Sequence, residues 1–277
     1  MHGPSVDFSP PAAVRLVALD LDGTLLQSGD AILDADRDAV AQARRQGVHV
    51  VLASARPPRS ARHIYDALGL DTPYVAYNGA LIQSMGGSEV LHHRPLPADL
   101  AGELIAFARE LEPAVVLELE RLDAGMTDRL HDNLRTQTSL RFAMNQIAPV
   151  DELLAGGPIT KLMLMAATPR VRRLETAISE AFAGRVHIAV SDRHLIQLLH
   201  PSVNKADGVR RVSGTLGIGS GEVLAIGDAP NDAELLAWAG TGVAAGNGWD
   251  AAKRAADAVG PHHGQGVVAW AIERFVL

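Results

Sequence analysis

The stretch Val14-Arg-Leu-Val-Ala-Leu-Asp20-Leu-Asp22-Gly23-Thr24 constrains the fold of this chain more than any other. Residues 14–19 are a mostly apolar run of β-formers, too short for an independent helix and suited to a buried strand. The run stops at two carboxylates one residue apart. Alternation along a strand points Asp20 and Asp22 the same way, but Asp22-Gly23 reads as the point where the chain turns. Two acids crowded at the C-terminal edge of a buried strand raise each other's proton affinity unless a cation intervenes. A site that needs both ionised needs a divalent metal; a site that needs one protonated already has its candidate. Asp-Gly is also an ordinary turn dipeptide, so this segment alone leaves the turn and the site readings open.

The neighbouring sequence repeats the pattern. A helix over 34–46 closes at Gly47, and a strand over 48–53 ends in Ser54-Ala55-Arg56. Pro57-Pro58 opens a helix to about 68, and a strand over 73–77 ends in Asn78-Gly79. This spacing predicts right-handed crossovers and a parallel sheet. Ligands of such sheets lie beyond the carboxyl ends of the strands, the edge shared by Asp20, Asp22, Ser54 and Asn78. The rhythm then changes: a hairpin about Met85-Gly-Gly-Ser88, a helix over 98–111, and a strand over 114–120 continuing hairpin-like to 126. Residues 127–150 give no clear reading. A strand over 159–167, an amphipathic helix over 169–183 and a hairpin of 186–191 with 194–200 follow. Helices between antiparallel hairpins indicate a separate α+β domain inserted into the first. The alternation resumes with a helix over 205–216, a strand over 223–226 and the loop Gly227-Asp228-Ala-Pro-Asn231-Asp232. A helix to about 238, a strand over 241–244 and helices over 249–256 and 266–275 complete it. The expected architecture is α/β: a doubly wound, Rossmann-like parallel-sheet core of residues 1–83 and 202–277, with residues 84–201 as an inserted cap.

The formal net charge of -7 argues against nucleic acid or an anionic membrane as main partner. A phosphate ligand stays open, because a bound metal or local cation cluster inverts the local field. With 47% hydrophobic and only 4% aromatic residues, the core must rest on Ala, Val and Leu. The absence of cysteine removes disulfides, thiolate metal sites and a Cys nucleophile together. No apolar segment reaches the roughly 18 residues of a membrane span, and the first dozen residues lack the pattern of a secretory signal. The expected location is the cytoplasm. His92-His93, His262-His263 and the set His187, His194, His200 show no chelating pattern with acids and read as surface or core histidines.

Four polar groups fall in order at strand ends or helix starts: Asp20-Leu-Asp22-Gly-Thr24, Ser54, Lys205 and Gly227-Asp228-Ala-Pro-Asn231-Asp232. Singly they are a turn, a helix cap, a surface lysine and first-turn acids; together they are informative. The set resembles the haloacid dehalogenase (HAD) superfamily of phosphatases, in its Cof-type branch with a large α/β cap. The resemblance implies that Asp20 attacks phosphorus to form an aspartyl-phosphate. It makes Asp22 the general acid and then the general base. Mg²⁺ would be held by Asp20, the backbone carbonyl of Asp22 and Asp228, with Asp232 orienting or joining that shell. Ser54 and Lys205 would grip the phosphoryl oxygens, and Asn231 would touch phosphate or substrate. Asn78-Gly79 also matches the branch, making Asn78 a substrate contact; Arg56 either contacts substrate or pairs with an acid. The chain departs from the usual pattern at Ala55 and Ala206, where the branch commonly has glycine, and an added methyl disfavours positive φ beside the phosphate. The expected activity is Mg²⁺-dependent hydrolysis of small phosphorylated metabolites, sugar phosphates favoured by resemblance, by a monomer or small homo-oligomer. A sugar phosphomutase of the same fold and a catalytically silent binding module are the alternatives.

Overall fold

The computed structural model describes residues 13–129, 144–190 and 193–277; most of the stretch without a sequence reading, and Ser191 of an expected strand, lie outside these. Strand β1 (Leu16–Leu19) is buried on both faces. It runs parallel to β2 (His49–Leu52) on one side and β12 (Val223–Gly227) on the other, with Leu19 level with Leu52 and Ile226. Beyond β12 lie β13 (Thr241–Ala244) and the short β14 (Ala258–Val259), completing a five-stranded parallel sheet in the order β14-β13-β12-β1-β2. Period-2 alternation divides the apolar residues between two layers. Val17 and Leu19 pack with α1 (Asp34–Arg45) and α9 (Val267–Phe275). Leu16 and Ala18 pack with α6 (Lys205–Thr215), α7 (Ala233–Trp238) and α8 (Asp250–Ala255). Each fully buried Leu or Val contributes roughly 1.5–3 kcal/mol. This is the doubly wound core expected from the sequence.

The strand expected over 73–77 behaves differently. Helix α2 (Pro58–Ala67) leads to β3 (Tyr74–Ala76), which meets β2 only through a single parallel bridge, Ala53 with Val75. The chain then reverses through Tyr77, Asn78 and Gly79, all at positive φ. It continues antiparallel as β4 (Leu81–Gln83) and β5 (Val90–His93). Only glycine fits at position 79, because a Cβ there would stand 2.3 Å from the carbonyl oxygen of Asn204. That close approach seats the start of α6 against the turn. The expected cut between residues 83 and 84 falls inside this hairpin, and pairing with the inserted segment begins at Leu96, bridged to Ile159.

The inserted segment forms a second sheet in the order β10-β11-β9-β6-β7-β8: β6 (Val116–Arg121), β7 (Ala124–Thr127), β8 (Met144–Ile147), β9 (Lys161–Met165), β10 (His187–Ala189) and β11 (Leu195–Leu199). Its pairs are antiparallel except β7 with β8. One face, with Leu117, Leu119, Leu162, Leu164, Ile196 and Leu198, packs under α3 (Ala98–Leu111), α4 (Val150–Ala155) and α5 (Thr168–Ala181). The other face is polar along its middle and meets the core.

Candidate active site

Because β1, β2 and β12 run in parallel, their C-terminal ends bring Asp20, Ser54 and Asp228 to one edge of the sheet. Asp20 follows Leu19 directly, its backbone N donating to Ile226 O at 3.0 Å. Helix α6 starts at Lys205, behind a cap in which Asn204 Oδ1 accepts from Asp207 N at 2.7 Å. This directs Lys205, only 1% exposed, into the same edge. Its Nζ donates to Asp20 Oδ1 at 2.5 Å and Asp232 Oδ1 at 2.6 Å. The second oxygen of Asp232 accepts from Asp228 N at 3.1 Å and Ala229 N at 3.0 Å. Asp232 therefore staples the loop that carries Asp228, with both oxygens committed. Thr24 Oγ1 donates to Asp228 Oδ1 at 3.2 Å.

One carboxylate oxygen from each of Asp20, Asp228 and Asp232 lies within 4.8 Å of the others. Burial, with repulsion from Asp232 and Asp228 and against the pull of Lys205, raises the pKa of Asp20 well above the usual carboxylate range. Burial and then Asp232 push Asp228 up to about 7. Burial opposes the charge on Lys205, but Asp20 and Asp232 outweigh it and its pKa is raised. Three acids thus share one ammonium. Asp20 Oδ2 and Asp228 Oδ2 take no hydrogen bond among the described residues. Two open oxygens, surplus negative charge and an all-oxygen donor set suit a hard divalent cation.

Asp22 is not part of this cluster. Its half-exposed carboxylate is held by Arg56, Nε to Oδ2 at 2.7 Å and Nη2 to Oδ1 at 2.6 Å. The same guanidinium binds Asp30 twice, at 2.9 and 2.7 Å. Of the two roles expected for Arg56, the structure displays pairing with acids. Burial disfavours the Arg56 charge, and bonds from Asp22 and Asp30 outweigh that, raising its pKa. Buried Ser54 follows β2, and its Oγ accepts from Arg56 N at 3.2 Å. Asn231 Nδ2 donates to Asn78 Oδ1 at 2.8 Å, while Asn231 Oδ1 is buried without a partner among the described residues. Asn78 Nδ2 donates in turn to Gln197 Oε1 on the inserted sheet, at 3.4 Å. Neither Ala55 nor Ala206 is at positive φ. Ala206 packs as an ordinary helical residue in the apolar layer under α6, so neither position demands the glycine found in the branch.

Gly23 makes the first loop possible. It stands at φ +80°, and a Cβ there would lie 2.5 Å from Asp228 Oδ2. The left-handed turn lets the backbone pass against the acid.

A model of the haloacid dehalogenase-like hydrolases matches residues 17–272. This chain belongs to that family. It is 30% identical over 250 residues to the 5-amino-6-(5-phospho-D-ribitylamino)uracil phosphatase YitU of Bacillus subtilis (strain 168), spanning 87% of this chain and 90% of that protein. It is 28% identical over 233 residues to the HMP-PP phosphatase of Escherichia coli O6:H1, 84% of each chain. The crystal structure of a haloacid dehalogenase-like hydrolase from Bacteroides thetaiotaomicron matches with a TM-score of 0.81 at 26% identity, over 94% of this chain and 99% of that one. With relatives of this kind along nearly its whole length, the chain is a hydrolase of the phosphatase type.

The sequence reading missed the polar face of the inserted sheet. Arg59, at the start of α2, binds Glu120 through two bonds of 2.8 and 3.0 Å, and Tyr77 Oη donates to Glu120 at 3.1 Å. Asp123 accepts from Arg59 N at 2.9 Å. Lys161, buried in β9, donates to Ala55 O at 3.0 Å. The available signal was charge inside apolar strands: Glu118 and Glu120 two apart in Val116-Leu-Glu-Leu-Glu120, and Lys161 heading Lys-Leu-Met-Leu-Met165. Among the described residues no helix is long and apolar enough to cross a membrane.

Proposed function

We propose that this chain is a Mg²⁺-dependent phosphatase of small phosphorylated metabolites, working through a phosphorylated Asp20. The observation that carries the reading is the cluster of Asp20, Asp228 and Asp232 at adjacent strand ends, bridged by the buried ammonium of Lys205. Asp20 and Asp228 would hold the cation, with the backbone carbonyl of Asp22 as a further oxygen and Asp232 fixing the loop. Bound there, Mg²⁺ supplies positive charge against the phosphoryl oxygens and lowers the repulsion between substrate and nucleophile.

Asp20 is at the strand end, where Oδ2 would hold the cation beside Asp228 and Oδ1, next to the Lys205 ammonium, would attack phosphorus as the ester oxygen departs. Lys205 and Ser54 would steady the transferring phosphoryl group, and Asn231, from the neighbouring loop, would meet the phosphate or substrate. Asp22, outside the acid cluster and half-exposed, would deliver the proton to the departing oxygen and later take one from the attacking water. Arg56 orients its carboxyl. The polar contacts of Arg59 and Asn78 with the inserted sheet, and of its Lys161 with Ala55 O, support its role as a cap over the strand ends, from about Leu96 to His200. Closing it excludes water and supplies the contacts that choose the leaving group. Sugar phosphates remain the favoured class.

The test is phosphate release from p-nitrophenyl phosphate and a panel of phosphorylated sugars, nucleotides and vitamins, with Mg²⁺ or with EDTA. Turnover should need the cation, and Asp20→Asn should lose on the order of a thousandfold or more. Full activity in Asp20→Asn, or no turnover on any panel member, would remove the proposal.

A further inference from the structure

Side chains at alternate positions share one face of a strand, and register carries that face across the inserted sheet. Glu118 pairs with Met163, and Met163 with Gln197; one row over, Glu120 pairs with Lys161. These residues therefore share the face opposite the α3–α5 layer. That this face looks at the catalytic edge follows from its contacts. Gln197 accepts from Asn78, which is bonded to Asn231, and Lys161 reaches Ala55 O beside Ser54. Glu118 and Gln197 are two strands apart, about 10 Å, with Met163 between them in the same row.

Glu120, Lys161 and Gln197 each bond to the core. Glu118 does not: it has 0% exposure, and both carboxyl oxygens are buried with no hydrogen-bond partner among the described residues. An acid so placed calls for an explanation, because native structures rarely leave buried side-chain oxygens unpaired, and strain, a functional role, a water, an ion or another molecule accounts for such cases. Neither neighbouring cation bonds Glu118, although Arg59 Nε is itself buried without a partner among the described residues. Arg59 is fixed on Glu120, and Lys161 lies on Ala55 O and 5.0 Å above the Tyr77 ring.

We propose that Glu118 hydrogen-bonds the leaving group of the phosphate ester, selecting groups that carry hydroxyl or amine hydrogens on the side away from phosphorus. This rests on the phosphatase reading of the Asp20 edge and assigns it a specificity residue in the cap. The chemistry around Glu118 agrees. Burial first, then repulsion from Glu120, against the pull of Lys161 and Arg59, and finally the closeness of the Glu120 carboxyl, which favours a retained proton, push its pKa up to about 8. A protonated carboxyl both donates to and accepts from a hydroxyl, and a carboxylate accepts from an amine. A plain aryl or alkyl group satisfies neither oxygen.

The experiment compares wild type, Glu118→Leu and Glu118→Gln on three substrates: sorbitol 6-phosphate, glucosamine 6-phosphate and p-nitrophenyl phosphate. The expected result is a fall of at least about tenfold in the kcat/KM ratio of the donor-bearing esters to p-nitrophenyl phosphate in Glu118→Leu. The shape-conserving Glu118→Gln should give a smaller fall in the same direction. The sorbitol and glucosamine arms show whether hydroxyl or amine is the group read. A competing structural role, a proton shared with Glu120 that only braces the sheet, would move the melting temperature and leave the ratio within threefold, overturning the proposal. Binding of sorbitol 6-phosphate and of inorganic phosphate to Asp20→Asn, with and without Glu118→Leu, separates this from the phosphatase reading. Glu118-dependent preference for the polyol ester without turnover in wild type would sink hydrolysis and keep the subsite. Turnover with no Glu118-dependent preference would do the reverse, and neither turnover nor preference would remove both.

Discussion

Asp36 offers a stability test that is independent of catalysis. It lies in the first turn of α1, fully buried, where Oδ1 accepts from Ala269 N at the start of α9 at 2.7 Å. Its Oδ2 has no partner among the described residues. Burial outweighs the bonds from the α9 amides and moves its pKa from 3.8 to about 6. A carboxyl that is a weaker acid in the folded chain binds more protons there than in the unfolded chain. Its ionisation therefore erodes stability as pH rises from about 3.8, and the loss levels off above about 6. At 1.36 kcal/mol per pH unit the full displacement is worth about 3 kcal/mol. Asp36→Asn keeps the acceptor for Ala269 N and resembles the protonated acid, so it should be more stable than wild type by up to about 3 kcal/mol at pH 7.5. The gain should shrink to near zero by pH 3.5. Urea unfolding followed by tryptophan fluorescence at several pH values reads this directly, since Trp238, Trp249 and Trp270 all belong to the core helices or their caps. A stability difference that stays constant from pH 4 to pH 7.5 would refute the reasoning.

Gly23→Ala places a methyl at positive φ and against Asp228 Oδ2; the strain of about 1–2 kcal/mol and the displaced acid should cut phosphate release by at least about tenfold, and unaltered kinetics would contradict that geometry. Arg56→Met leaves Asp22 and Asp30 without their shared guanidinium and should cost about 1–3 kcal/mol at neutral pH, since half-exposed Asp22 is screened by water. Arg56→Lys should recover little of it, because an ammonium cannot serve two bidentate partners; melting curves of both variants decide. Arg59→Ala breaks the paired bonds to Glu120 and the side-chain contact with Asp123. Amide exchange in β6 and β7 should then quicken, and KM should rise more than kcat falls; unchanged protection there would show that this contact does not hold the cap.

Much of the core was legible because its signals are local. The apolar run of β1, the left-handed Gly47 after α1 and the Pro58 start of α2 report on residues within a few positions of themselves. The family-typical acids were legible for the same reason, each set lying within one turn of chain. The path of β3 was not, since its departure from the parallel sheet depends on three successive positive-φ residues and on Gly79 fitting under Asn204 O, a contact made across more than a hundred residues. Sequence allowed Arg56 a pairing with an acid but could not name Asp22 and Asp30 as its partners. The inserted sheet shows the limit most clearly. Alternation in Val116-Leu-Glu-Leu-Glu120 says that Glu118 and Glu120 share a face, and it cannot say whether water or the core lies opposite.

The Asp20-Leu-Asp22 pair draws the same line. Sequence by itself determined that two acids end a buried strand, because hydrophobic burial and turn sterics act along the chain. The resemblance implied different roles for them, and the tertiary structure decided their partners, Asp20 to Lys205 and its fellow acids, Asp22 to Arg56. Charges choose partners by distance in space, and those distances exist only after the strands have been set side by side.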